Sequence, residues 1–225
     1  MRRAAVLMLS CAAGQVARAE VARAEVAPDL AAVVAGLPSC DPARAHCFGI
    51  RLHVTVGADG PIATPDFLAT QLATANRHFA PLDVAFQVVD IDALPATAAH
   101  IASPGDRDEL SAGRLGGGVI HVFIVSQLDD IDHPGQIIRG VTWHTRSDDR
   151  KYIVVSTVAP DRVLAHELGH LFGLPHSSYP VSIMNKRDRK QPPPDQRTFA
   201  DEEIGAMRPA LGRLLRAKVI AEVAK

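Results

Sequence analysis

From Phe48 to Val56 (FGIRLHVTV) apolar and polar residues alternate, the period of a strand with one buried and one wet face. Turn-forming residues fill 57–60, and Thr64-Pro65 then supplies an N-cap and a first helical residue. Phe67, Leu68, Leu72, Ala75 and Phe79 recur at helical spacing as far as Pro81, which predicts a helix ending there. Asp83 to Asp90 (DVAFQVVD) reads as a second strand. A polar region with Ser103-Pro104-Gly105 and a run of glycines at 116–118 separates it from Val119 to Val125 (VIHVFIV). That run is the most hydrophobic in the chain and is predicted to be a central strand covered on both faces. Ile138 to His144 and Tyr152 to Thr157 predict two more strands joined by a polar hairpin loop. A helix follows over the 165–176 region. Gln191-Pro192-Pro193-Pro194 then marks an extended connector. Thr198 and Asp201 read as a capping pair for a last helix, which Pro209 is expected to kink or split. This order of elements predicts a mixed α/β (α+β) domain on an open sheet.

The N-terminal pattern is of another kind. Arg2 and Arg3 precede a short apolar stretch, Ala4 to Gly14, and small-residue cleavage patterns follow at Ala17-Arg18-Ala19 and Ala22-Arg23-Ala24. This is the layout of an export signal, too short for a membrane anchor. Residues 1–24 are therefore read as a signal peptide, 25–47 as a linker or short pro-segment, and 48–225 as the folded domain. The VARAE echo at 16–20 and 21–25 belongs to this tail and is too short for a repeat architecture. Cys11 raises a lipoprotein variant, but Met8-Leu9-Ser10 is a poor lipidation context, so simple cleavage ranks first. The expected location is secreted or periplasmic.

Composition narrows the partners. Hydrophobic residues make up 47% of the chain, enough for a substantial core. With 24 basic and 25 acidic residues and a net charge of −1, there is no electrostatic case for nucleic acid or an anionic membrane. No run beyond the first fourteen residues could cross a bilayer, and the expectation is a monomer.

The chemistry is concentrated in Ala165 to His176, AHELGHLFGLPH. His166 and His170, four apart, project from one helix face and can reach one metal ion. Glu167, beside the first of them, can take a proton from a water at that metal without filling its coordination sphere. Two histidines four apart arise easily on amphipathic helices. Gly173 changes the weight of the pattern, because glycine leaves a helix in the left-handed region at little cost and returns the chain so that His176 becomes a third ligand. From composition alone, these five fixed positions coincide in roughly a few per hundred thousand such chains. Eight residues beyond His176, Ser182-Ile183-Met184-Asn185 places a methionine after a short irregular stretch. Ordinary packing is the bland reading of Met184; a tight turn beneath the metal is the better one at this distance.

Here the chain resembles the metzincin clan of zinc endopeptidases, whose signature is HExxHxxGxxH followed by a methionine turn. His166, Glu167, His170, Gly173, His176 and Met184 match it one by one. The spacing to Met184, and Ser177 directly after the last histidine, are most similar to matrixins, in particular bacterial matrixin-like members. The resemblance implies a twisted five-stranded mixed sheet with an antiparallel edge strand, an active-site helix and a C-terminal helix. Its strands would be Phe48–Val56, Asp83–Asp90, Val119–Ser126, Ile138–His144 and Lys151–Thr157. It also implies one catalytic zinc ion, Zn(2+), and a peptide or protein substrate lying antiparallel to the edge strand. Gly140, Val141, Thr142 and Trp143 are then candidate cleft residues, with core packing an equal alternative for Trp143. The pocket beside the metal is expected between 180–183 and the end of the motif helix.

The chain also departs from these relatives. The structural zinc site and calcium loops common in matrix metalloproteinases are not visible; Asp129, Asp130 and Asp132 read as a solvated loop before a calcium site. No tyrosine stands where astacins and serralysins carry one after the methionine. No latency motif surrounds Cys40 or Cys47, so a disulfide between them is favoured over a thiol silencing the zinc. The function expected is that of a secreted zinc endopeptidase. A catalytically silent zinc-stabilised binding module and a protease that only processes itself are the alternatives.

Overall fold

The computed structural model describes residues 28–145 and 150–225. The expected signal peptide, Cys11, the VARAE echo and residues 146–149 of the expected hairpin loop lie outside the described residues. Among the described residues, five long strands and one two-residue strand form the main sheet, the long ones being β1 (His46–Gly57), β2 (Val84–Leu94), β3 (Ile120–Val125), β4 (Gly140–His144) and β5 (Lys151–Ser156). Their order in space is β2-β1-β3-β5-β4. All neighbours are parallel except β4 and β5, which leaves β4 as an antiparallel edge strand. A two-residue strand, Gly60–Pro61, folds back on the end of β1.

Side-chain alternation divides the sheet's two faces. Phe48, Ile50, Leu52 and Val54 of β1, with Val122, Ile124, Ile153 and Val155, pack beneath three helices: α2 (Pro65–Phe79), α4 (Val163–Leu171) and α5 (Asp201–Arg216). Leu30 and Val33 of α1 (Pro28–Ala35) join the same core. The opposite face buries Phe123, Val125, Tyr152 and Val154 with Leu110 of α3 (Pro104–Ser111). Strand β3 is buried at every residue, His121 included, as its strongly apolar run predicts. Cys40 and Cys47 are joined in a disulfide that ties the preceding loop to the start of β1, buried against Ala85.

Three expectations need correction. Asp83 is not in a strand: at φ 64° it is left-handed and closes the turn Ala80–Leu82, its N–H bonded to Ala80 O at 2.9 Å. The last helix is not capped by Thr198 and Asp201. Ala200 is its N-cap, and the Glu203 carboxylate accepts from the Ala200 N–H at 2.8 Å; Thr198 instead bonds its backbone to Val181 and Ile183. Pro209 does not split α5, which runs from Asp201 to Arg216 as one element. The carbonyl that a proline at this position cannot engage belongs to Gly205, and both residues are exposed, so that carbonyl is open to solvent.

Candidate metal centre

Helix α4 ends as the motif requires. Gly173 has φ +89°, its N–H bonds to His170 O at 3.0 Å, and the Leu174 N–H reaches back to Gly169 O at 2.9 Å. These two bonds are the Schellman pair, and they reverse the chain so that His176 faces the helix it has just left. The Nε2 atoms of His166 and His176 each lie 3.1 Å from Nε2 of His170. Nδ1 of His166 is 2.8 Å from Ile183 O, and Nδ1 of His170 is 2.7 Å from Leu174 O. A carbonyl only accepts, so each Nδ1 carries its proton and each Nε2 lone pair is left aimed at the common point. Burial pushes His166 and His176 down to about 4 and lowers His170 as well. Three neutral imidazoles on one point, two of them locked in tautomer, are a donor set that fits zinc, and among the described residues this is the only cluster able to hold a metal ion.

Glu167 is buried beside this point, and that burial pushes its carboxyl up to about 7. The Thr142 hydroxyl, on the edge strand, lies 2.9 Å from Glu167 Oε2 and 2.7 Å from Glu167 O, and its one proton serves either acceptor at a time. Gly140 permits this approach. A Cβ there would come within 2.6 Å of Val163 Cγ1 and 3.1 Å of Glu167 Oε1, so only glycine lets β4 lie against α4. Thr142 and Gly140 thus orient the carboxylate, in addition to lining the cleft.

Met184 is fully buried under α4. A Cβ on Gly169 would stand 2.8 Å from its Sδ, so the thioether occupies the space that this glycine leaves. The turn is held from both sides: Ser177 N–H bonds to Met184 O at 3.2 Å, and Met184 N–H to Ser182 Oγ at 2.8 Å. Ser182 Oγ in turn donates to the buried Glu203 carboxylate of α5, at 2.8 and 2.7 Å from its two oxygens. Gly169, Ser182 and Glu203 were not singled out from sequence. The glycine inside HELGH was a visible signal; the serine and glutamate, 21 residues apart, gave none.

A cleft of about 1060 Å³ opens over the three histidines. Its walls include Gly140, Val141, Thr142, Trp143 and, of the 180–183 segment, only Ile183; the start of α4 contributes as well. Trp143 stands at the rim in a partly packed position. Its Nε1–H bonds to Asp108 at 3.1 Å and the Arg107 guanidinium lies 4.7 Å from its ring centre. In the acidic loop, Asp129 is engaged by Gln127 and His100, and Asp130 accepts from the backbone N–H groups of Asp132 and His133. Both carboxylates thus have protein partners, those of Asp129 coming from Gln127 and His100 and those of Asp130 from the loop.

A parallel-rich sheet with an antiparallel edge strand is thus laid against a helix bearing two of three converging imidazoles. The matrixin family model (Peptidase M10) matches residues 133–205, about a third of the chain and the part that carries the whole motif. No curated protein matches the sequence. Among solved structures, metalloproteinase-II from Bacteroides fragilis is similar over 78% of this chain and 57% of its own, with 14% identity and a TM-score of 0.53. The chain thus spans little more than half the length of that protein. Archaemetzincin from Methanopyrus kandleri is similar over 77% of this chain and 100% of its own, at 17% identity and a TM-score of 0.50. The matched segment is thus similar to matrixins, and the fold is similar to that of these two proteins.

Proposed function

We propose that the protein is an exported zinc endopeptidase in which His166, His170 and His176 hold one zinc ion and Glu167 is the general base. The observation that carries this reading is the meeting of three neutral imidazoles with a buried carboxylate that Thr142 orients. The chemistry a zinc ion would supply is the acidification of a water and the polarisation of the scissile carbonyl. Glu167 accepts the water's proton and passes it to the leaving amine. Its burial suits both roles, because a carboxyl held near neutral pH takes up and releases a proton readily. The exposed edge of β4 offers main-chain groups on which an extended peptide adds as a further strand, antiparallel to Gly140–Trp143.

A silent binding module would have no use for Glu167 or for the Thr142 hydroxyl aimed at it. Self-processing and export are tested together by sequencing the N-terminus of protein recovered outside the cytoplasm; cleavage within residues 17–25 is expected. Endopeptidase activity is tested on peptides blocked at both ends. Internal cleavage by wild type is expected, together with loss of both zinc and cleavage in His176→Ala. A zinc content in His176→Ala equal to wild type would remove His176 from the ligand set.

A further inference from the structure

The cleft wall between the methionine turn and the start of α4 carries three half-buried guanidiniums, Arg162, Arg189 and Arg197. Each is close enough for its charge to be felt by another: burial, then the charge of Arg197, holds Arg162 below the usual arginine range, and burial with Arg197 and Arg162 does the same to Arg189. None of the three makes an ion pair among the described residues. The exposed Asp161, next in the chain, offsets part of that repulsion on Arg162 without forming an ion pair, and Asp188, though on the cleft, pairs with none of the three.

Their hydrogen bonds differ in a telling way. Arg189 spends its donors on backbone carbonyls of Pro180, Asn185, Arg187 and Ser182 and so fastens the loop. Arg197 bonds to Pro192 O and Arg189 O through Nε and Nη2. Arg162 makes no side-chain hydrogen bond at all among the described residues. A guanidinium that is partly desolvated, repelled by a neighbouring arginine and without a hydrogen bond or ion pair among the described residues is a poor structural element and a good anion receptor.

Its position says which anion. Arg162 caps α4 one turn before His166, and its successor Val163 packs against Gly140 at the start of β4. A peptide antiparallel to β4 sends the residues that follow its scissile bond toward this end of the cleft. We infer that Arg162, backed by Arg197, forms a carboxylate-binding pocket that selects Asp or Glu immediately after the bond that is cut. The inference rests on the peptidase reading above and names its substrate class: peptides with an acidic residue at that position.

The test uses zinc-loaded protein and paired blocked peptides that differ only in Glu or Gln after the cleavage point. Wild type is expected to favour Glu by on the order of 10- to 100-fold in kcat/KM, the effect of a charge-assisted bidentate bond. Arg162→Leu should lose that ratio, and Arg162→Lys should keep part of it; zinc content and melting temperature of each variant report on folding. A wild type indifferent to Glu and Gln, or an Arg162→Leu that still prefers Glu, overturns the pocket. Binding of the same peptides to zinc-loaded Glu167→Ala separates the two readings. A binding preference for Glu that needs Arg162, with no cleavage by wild type, supports the pocket and removes the peptidase. Cleavage without preference does the reverse.

Discussion

Thr142 bears on the reaction through a single proton. Its hydroxyl stands 2.9 Å from the Glu167 carboxylate, in a place where burial otherwise disfavours the charged form. Thr142→Val keeps the shape of the side chain and removes that donor. The expected result is a kcat/KM lowered by roughly 10- to 100-fold with zinc content unchanged, since a hydrogen bond to a buried carboxylate contributes about 1.5–3 kcal/mol. An unaltered pH–rate profile and rate would show that Glu167 is oriented by something else. The motif residues themselves were legible because their relation is local: a four-residue step on a helix, then a glycine that reverses the chain. Thr142 was legible only as a place on the edge strand. What it bonds to depends on β4 lying 25 residues away against α4, which no local pattern encodes.

Between elements, the methionine turn joins the motif helix to α5. Gly169 gives Met184 its space, and Ser182 passes the turn's hydrogen bonds on to Glu203. Gly169→Ala would place a methyl group 2.8 Å from Met184 Sδ. Overpacking of that kind costs about 1–3 kcal/mol, so the melting temperature should fall and zinc should dissociate more readily; a melting temperature equal to wild type would mean that the turn yields freely. Ser182→Ala leaves Glu203 buried with one donor fewer, and a loss of about 1–3 kcal/mol is expected in denaturant unfolding. The same contact explains the misplaced cap. Thr198 and Asp201 look like a local capping pair, but Thr198 is engaged by the 181–183 segment. Glu203, already turned inward for Ser182, caps the helix through Ala200 instead. A tertiary partner displaced the local one, whereas the strongly apolar run of β3 met no such rival.

Across the whole molecule, buried histidines set the response to acid. Burial pushes His53 down to about 3 and His78, His166 and His176 to about 4. Each is neutral in folded and unfolded chains above its ordinary value of 6.5. Below 6.5 the unfolded chain binds the proton first, so stability falls as pH drops from 6.5 toward 4. Glu167, raised to about 7, opposes this, because its folded form holds a proton that the unfolded form gives up; one carboxyl stands against four imidazoles. Denaturant midpoints of the metal-free protein should therefore decline over this window. His53→Gln, remote from the motif on β1, should flatten the decline; an unchanged slope would mean that His53 takes up a proton while folded.

The measurement closest to the central claim compares wild type with Glu167→Ala for zinc content and for digestion of casein. A base that is not a ligand should leave one zinc ion per chain in both proteins, with cleavage by wild type and none by the variant. Loss of zinc from Glu167→Ala, or casein digestion equal to that of wild type, would contradict the roles assigned to the three histidines and Glu167.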